Sequence, residues 1–194
     1  MARKYEMAGR TASMQRTREE ILDAVVSLSE SWYDEVTLGD VARRAGVSQQ
    51  TVVNHFGSKM NLYVTAIRER YAPEVKELRR SARPGDAASV VDAVMSDYEV
   101  TGDRTWRLVC LAGRMEELRP VVAGGRRAHR EFVEHAFAPV LPRRGSRSRE
   151  RLVTLVAVAL DVTTWHQLRR DTGLSRAETG EHVLQLVRAL LPSA

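Results

Sequence analysis

The chain has a single cysteine, Cys110, among its 194 residues, and it has no long apolar run. One cysteine excludes an internal disulfide and a cysteine-based metal cluster. The longest apolar stretch, residues 155–160, ends at Asp161 and is far shorter than the roughly 18 apolar residues of a membrane-spanning helix. The first ten residues contain no apolar core of a signal peptide. We therefore expect a cytoplasmic protein with no membrane partner, no metal and no cofactor.

Sequence signatures of the common enzyme classes are also missing. The chain has no G-x-S-x-G nucleophile elbow, no phosphate-binding glycine loop and no H-E-x-x-H zinc motif. Glu131 and His135 have the i, i+4 spacing of a metal-binding pair, but no third ligand accompanies them. We therefore predict no enzymatic activity and no catalytic residues.

Positive charge is in excess, but it is unevenly distributed. The net charge is +5, and because residues 1–60 and 61–125 are each balanced, the whole excess lies in residues 126–194. The overall basic balance is therefore not the footprint of a DNA-binding surface. Residues 1–16 are predicted to be a disordered basic arm, which either reaches DNA or stays solvated. The first 18 residues contain one acidic residue, Glu6, and five basic ones, which are Arg3, Lys4, Arg10, Arg16 and Arg18.

The most informative stretch is residues 36–56, which read VTLGDVARRAGVSQQTVVNHF. Thr37 followed three residues later by Asp40 is typical of a helix N-terminus. Gly46 suits the left-handed end of that helix, and Ser48 suits the cap of a second one. Two short helices joined by a glycine-containing turn form a helix-turn-helix, whose second helix usually enters the DNA major groove. An ordinary helical hairpin in an all-α core is the alternative.

The flanking segments carry a family resemblance. They read RTREEILDA before the two helices and HFGSKMNL after them, and over residues 17–62 the chain resembles the TetR family of bacterial transcriptional regulators. The resemblance implies an all-α fold with an N-terminal three-helix helix-turn-helix DNA-binding domain, residues 17–62. A C-terminal helical domain for effector binding and dimerisation, residues 63–194, would follow. One departure is Trp32-Tyr33, which stand where the family usually has a glycine before an aromatic residue.

The exposed face of the second helix is predicted to read DNA bases. Amide side chains match the donor and acceptor of adenine in the major groove, and a valine can pack on a thymine methyl. The predicted base-reading residues are Gln49, Gln50, Val53 and Asn54. The TetR resemblance also implies contacts to the DNA phosphates from Thr37, Thr51, His55 and Lys59. The alternative is a polar surface without a DNA contact for the three amides, a helix-end hydrogen bond for His55 and a solvated side chain for Lys59.

Two apolar helices near the C-terminus are predicted to form a dimer interface. Residues 149–170 are apolar on more than one face, and residues 175–191 carry an apolar stripe. Surplus apolar surface suits a two-fold interface, which the TetR resemblance also implies, although burial within one subunit is the alternative. The predicted interface residues are Leu152, Val156, Val183, Leu186, Val187 and Leu190.

The TetR resemblance further implies an effector pocket within residues 86–171. Within that range, residues 101–103 (Thr-Gly-Asp) are predicted to form a turn between two helices. Asp161 lies in an apolar helix and must find a partner, which is either a ligand or a structural contact such as an arginine or a helix N-terminus. Core packing is the alternative for the aromatic candidates. The candidate pocket residues are Trp106, Cys110, Glu117, His129, Asp161 and Trp165.

Together these patterns predict a one-component regulator, most simply a repressor that an effector releases from DNA. Its expected partners are a double-stranded, pseudo-palindromic operator, a small-molecule effector and a second copy of the chain. A dimeric DNA-binding protein whose second domain binds no small ligand, or a transcriptional activator, is the alternative.

Overall fold

The structure, a computed structural model, describes residues 2–28 and 35–191, with side chains from residue 11 onwards. The all-α prediction is confirmed, because these residues form helices and turns without a strand. None of the described helices is long and apolar enough to cross a membrane. The chain divides into two compact units, Met1–Pro73 (unit 1) and Glu74–Ala194 (unit 2).

The described residues of unit 1 form four helices and a wide turn. The helices are α1 (Ala2–Ser27), α2 (Leu38–Ala45), α3 (Gln49–Phe56) and α4 (Lys59–Ala66), and a π-helical turn follows at Ile67–Tyr71. Their apolar faces meet in one core, which holds Ile21, Leu22, Ala24, Val25, Val36, Val41, Ala42, Val52, Phe56, Leu62 and Ala66. Because Leu62 and Ala66 are buried there, α4 packs with the helix-turn-helix, and unit 1 extends past the predicted domain end at residue 62.

The start of α1 differs from the sequence-based expectation. The helix begins at Ala2, whereas residues 1–16 are predicted to be a disordered arm. These residues are mostly strong helix formers such as Ala, Arg, Met and Glu, and they contain no proline. Residues 29–34, which include the Trp32-Tyr33 departure from the family pattern, lie outside the described residues.

Unit 2 contains the remaining elements of the described chain. α5 (Ala72–Leu78) spans the division and runs into a 3-10 turn at Arg79–Ser81. The remaining elements are α6 (Ala87–Ala112), a 3-10 turn (Glu116–Leu118), α7 (Arg119–Ala136), α8 (Arg147–Ala159), α9 (Val162–His166), a π-helical turn (Gln167–Asp171) and α10 (Arg176–Leu190). The core lies between α6, α7, α8, α9 and α10, and its largest fully buried side chains include Trp165, Phe137, Met95 and Leu160.

The predicted turn at residues 101–103 is wrong, because α6 continues through it from Ala87 to Ala112. Gly102 serves packing rather than turning. A Cβ atom there would lie 2.5 Å from the Trp165 ring, closer than any real contact. The glycine therefore marks the place where the indole lies against the helix backbone.

The apolar faces of α8 and α10 are divided differently from the prediction. Four of the six predicted interface residues are buried inside unit 2 itself and present no surface to a partner; they are Leu152, Val156, Val183 and Val187. Leu190 is half-buried, and Leu186 is 47% exposed. The exposed apolar side chains of α8 are instead Leu155, 40% exposed, and Val158, 61% exposed. Helical spacing identified the apolar helices, but it did not tell which face belongs to the subunit's own core.

Candidate nucleic-acid interface

A reciprocal cap fixes the start of α2. The Thr37 hydroxyl oxygen accepts from the Asp40 backbone N–H at 3.1 Å, and the Thr37 backbone N–H donates to the Asp40 carboxylate at 2.9 Å. Arg43 donates to the same carboxylate at 2.9 Å. The hydrogen bonds from Thr37, helped by the one from Arg43, lower the pKa of Asp40 to about 2, so the cap stays ionised at neutral pH.

The turn between α2 and α3 follows from two residues. Gly46 has φ of 69°, in the left-handed region that favours glycine, and its N–H and that of Val47 donate to the last carbonyls of α2. Ser48 then caps α3 by accepting from the Thr51 backbone N–H at 3.0 Å. The predicted helix-turn-helix is therefore present with its predicted caps.

The predicted base-reading residues lie together on α3. Val52 and Phe56 face the core, whereas the amide side chains at positions 49, 50 and 54 are exposed and Val53 is half-buried. Gln50 Nε2 donates to Asn54 Oδ1 at 2.9 Å across one helical turn. This bond orients both amides and leaves Gln50 Oε1 and Asn54 Nδ2 outside it, as one acceptor and one donor for a base edge.

The predicted phosphate-binding residues are distributed over three helices, with Thr37 at the N-cap of α2. Both donors of Thr37 point at Asp40, since its hydroxyl donates there at 2.6 Å, so a phosphate contact requires that hydroxyl to turn away. Thr51 and His55 are half-buried on α3, and Lys59 is half-buried at the first residue of α4. Thr51 and His55 thus share α3 with the predicted base-reading residues, and Lys59 begins the next helix.

The candidate effector residues of unit 2 fall into three environments, the first of them aromatic. Trp106 stacks on the imidazole of His166, with ring centroids 4.3 Å apart, and Trp165 meets the same ring edge-on at 6.4 Å. Trp165 is fully buried, and its Nε1–H donates to Glu99 at 3.2 Å. His166 was not predicted, although it follows Trp165 directly in the sequence.

The second environment is a buried polar cluster around Arg79. Arg79 Nε donates to Asp97 at 2.7 Å, and its Nη1 donates to Nδ1 of His129 at 2.9 Å. His129 Nε2 lies 3.0 Å from the Ala157 carbonyl oxygen, and since that oxygen only accepts, the imidazole is the neutral tautomer protonated at Nε2. Burial, reinforced by the neighbouring Arg79 charge, lowers the pKa of His129 to about 4. Both ring nitrogens of this predicted ligand-binding residue are thus occupied.

The remaining three candidates are Cys110, Glu117 and Asp161. Cys110 and Glu117 are exposed. Asp161 caps α9 by accepting from the Thr163 backbone N–H at 2.9 Å, which is the structural alternative recognised for it from the sequence. Among the described residues no group of three or more His, Cys, Asp or Glu side chains could hold a metal ion.

The two charged residues of this buried cluster, Arg79 and Asp97, are not predicted from the sequence. Asp97 is fully buried within α6 and also accepts from the Thr101 hydroxyl at 2.6 Å. The one available signal was an acidic residue surrounded by the apolar residues of α6, with Thr101 four positions later on the same face. Nothing in the sequence pointed to Arg79, which stands in the charged run KELRR.

Comparison with known proteins agrees with this geometry. Residues 21–66 match the family model of bacterial regulatory proteins of the tetR family. The HTH-type transcriptional regulator AlkX of Mycobacterium tuberculosis is 45% identical over 53 residues, which are 26% of this chain and 25% of AlkX. The match to this curated relative therefore spans a quarter of its length.

Solved structures extend the likeness in fold to most of the chain. A transcriptional regulator from Rhodococcus sp. Rha1 superposes with a TM-score of 0.67 at 18% identity, covering 92% of this chain and 95% of the other. A TetR-family regulator from Mesorhizobium loti gives a TM-score of 0.67 at 18% identity, over 91% and 96%. Residues 21–66 are therefore a helix-turn-helix region of the tetR family type, and the fold of most of the chain is shared with solved regulators.

Proposed function

We propose that the protein is a transcriptional regulator that binds a pseudo-palindromic DNA operator as a dimer and is released by a small-molecule effector, as a repressor. The observation that carries DNA reading is the exposed amide face of α3, held by a capped turn inside the region that matches the family. Gln49, Gln50, Val53 and Asn54 contact bases in this proposal, and Thr37, Thr51, His55 and Lys59 contact phosphates.

The proposed dimer uses the apolar side chains that unit 2 leaves exposed. Leu155 and Val158 on α8 and Leu186 on α10 are large, apolar and exposed, on two helices that pack against each other. A two-fold axis through such a face pairs it with its own copy and places two recognition helices, one α3 from each subunit, on one operator.

The proposed effector site lies in unit 2, beside the stacked rings of Trp106 and His166. Two proteins of similar fold have been solved with small molecules: SmeT with triclosan (TM-score 0.65) and the multidrug binding protein EbrR with imidazole (TM-score 0.67). An effector releases DNA only to the extent that it binds the DNA-free conformation more tightly than the DNA-bound one. The helical run from α4 to the 3-10 turn at Arg79–Ser81 carries that change along the chain.

The first experiment measures binding of the full chain to the DNA that flanks its own gene and to a scrambled duplex, over a range of salt concentrations. A specific regulator binds the flanking DNA about a thousandfold more tightly or better. Equal and steeply salt-dependent binding to both duplexes contradicts specific reading of that DNA. Selection from a random duplex library then distinguishes an operator at another locus from the absence of any operator.

Base reading is tested on the operator so obtained. Gln49→Ala and Asn54→Ala each weaken operator binding by about 1–3 kcal/mol and leave binding to scrambled DNA nearly unchanged. Gln185→Ala, which removes an exposed amide from α10, is the matched control and changes neither. An equal loss on both duplexes rules out base reading at the substituted position.

The alternative without an effector is separated by thermal melting. A ligand that binds only the folded protein raises its melting temperature with concentration. A panel of small amphipathic organic molecules that begins with triclosan is the probe. Stabilisation together with release of operator DNA supports the effector. Operator binding without any stabilisation favours a second domain that serves dimerisation or a protein partner.

A further inference from the structure

A network of ion pairs joins α1 to the π-helical turn that follows α4, within unit 1. Arg18 Nη1 and Nη2 donate to the two carboxylate oxygens of Glu69, at 2.7 and 2.5 Å. Arg70, the next residue of the turn, donates from Nε to Asp23 at 2.8 Å and from Nη2 to Glu19. Three side chains of α1 are therefore held by two adjacent residues of one turn.

The two residues that hold α1 belong to a turn that is wider than an α-helix. Ile67–Tyr71 is π-helical, and its Glu69 and Arg70 both contact α1. Single π-helical turns of this kind occur frequently at functional sites.

Arg18 also contacts the helix that is proposed to read DNA. Its guanidinium carbon lies over the ring of Phe56, 5.6 Å from the centroid. Phe56 is the last residue of α3 and is buried in the core of unit 1. A cation at this distance from an aromatic face is attracted to it. One side chain of α1 thus touches both the end of α3 and the turn after α4.

We propose that Arg18 is a positioning residue for DNA reading, which holds α3 in place through Phe56 and Glu69 without contacting DNA itself. This inference rests on the proposed function. The Arg18 side chain is 27% exposed and its guanidinium is engaged by a bidentate carboxylate, so a phosphate would have to displace Glu69 to bind it. Its place in the basic N-terminal segment therefore does not make Arg18 a phosphate contact.

The direction in which one substitution changes operator affinity distinguishes positioning from general electrostatic attraction. Glu69→Arg adds two positive charges to unit 1, which by attraction alone tightens binding to any DNA. If the Arg18–Glu69 pair positions α3, the same substitution weakens operator binding by about tenfold, within the range of coupling energies between contacting charged residues. Tighter operator binding by Glu69→Arg overturns the proposal.

Charge reversal supplies the second readout. Arg18→Glu alone weakens operator binding, and Arg18→Glu combined with Glu69→Arg restores it to within about threefold of wild type, because contacting charges couple non-additively. The control is Arg68→Glu, an exposed position of the same turn without an ion pair among the described side chains, which removes the same charge. The loss of operator affinity caused by Arg18→Glu must be larger than the loss caused by Arg68→Glu.

Salt dependence completes the test. A lost phosphate contact lowers the slope of log K against log salt by about one, in the Arg18→Glu single variant and in the double variant alike. Positioning predicts that the double variant recovers both the wild-type slope and the wild-type affinity. If the double variant still binds the operator weakly and the wild-type protein discriminates its operator, the positioning role is overturned but the proposed function is not. A wild-type protein that discriminates no operator overturns the proposed function and this inference with it.

Discussion

Arginine serves two different purposes in the two units. In unit 1, Arg18 and Arg70 are about a quarter exposed, and their carboxylate partners are still more exposed. In unit 2, Arg79 is 8% exposed, its partner Asp97 is fully buried, and the guanidinium also lies over aromatic rings. Water screens the first set, so those pairs can be exchanged at little cost, whereas the second set is shielded from water, which therefore cannot replace a lost partner. The first set is therefore suited to orienting helices, and the second to holding a core together.

The largest expected effect comes from removing the buried arginine. Arg79→Met leaves Asp97 buried without its cation and is expected to lower the free energy of unfolding by about 3–5 kcal/mol. Urea denaturation measures it. The control is Arg80→Met, the next residue, whose pair with Glu77 is exposed on both sides. Similar losses at the two positions would contradict the contrast between buried and exposed pairs.

Acidification is expected to destabilise the same cluster by protonating His129. Folded His129 has a pKa of about 4, below its ordinary value of 6.5, so between these values the unfolded chain binds a proton that the folded chain does not. Stability therefore falls as the pH drops from about 6.5 towards 4, by up to about 3 kcal/mol at about 1.4 kcal/mol per unit of difference in pKa.

The control for this pH effect is His129→Gln, which keeps an acceptor for Arg79 but does not titrate. Its unfolding free energy should depend less on pH in that window than that of the wild type. Equal pH dependence of the two proteins would exclude His129 as the group responsible.

Glycine offers a third comparison between a filled interior and an open surface. Gly102→Ala drives a methyl group into the Trp165 ring and is expected to destabilise unit 2 by about 1–3 kcal/mol or more. Gly125→Ala, on an exposed stretch of α7 with nothing within 4 Å, is expected to stabilise by about 0.4–1 kcal/mol. Thermal unfolding measures the change in stability caused by each substitution. Stabilisation by Gly102→Ala would refute the close approach of the indole.

The smallest effect is expected from the exposed pair of unit 1. Arg18→Met should cost at most about 1 kcal/mol of stability, and salt near 1 M should remove most of that loss. Denaturation at low and high salt measures it. A loss as large as that of Arg79→Met, or one insensitive to salt, would place Arg18 with the buried arginine and end the distinction between the two clusters.

The helix-turn-helix could be predicted in detail because its signals are local. The Thr37–Asp40 cap, the left-handed Gly46 and the Ser48 cap are each decided by residues within four positions. The apolar pair Val52 and Phe56 then fixes which face of α3 is buried, and with it which face carries the exposed amides. Backbone hydrogen bonds and helical periodicity were sufficient to place these groups.

Unit 2 was less predictable because its decisive contacts join residues that are distant in sequence. Its helices and its strongly apolar α8 were visible from periodicity. The partner of Arg79 lies 18 positions away, and Trp165 meets Gly102 across two different helices. For this reason Gly102 was predicted to be a turn, and four core residues of α8 and α10 were assigned to a dimer interface.

The amino-acid sequence by itself determined the helical class, the capped helix-turn-helix and its match to the tetR family model, since each depends on short-range backbone chemistry in a fixed register. Only the tertiary structure decided which apolar faces stay exposed, where Arg79 is buried and that Arg18 pairs with Glu69. Periodicity tells that a helix has an apolar face or a charged residue. Which other helix that face or charge meets depends on how the whole chain packs.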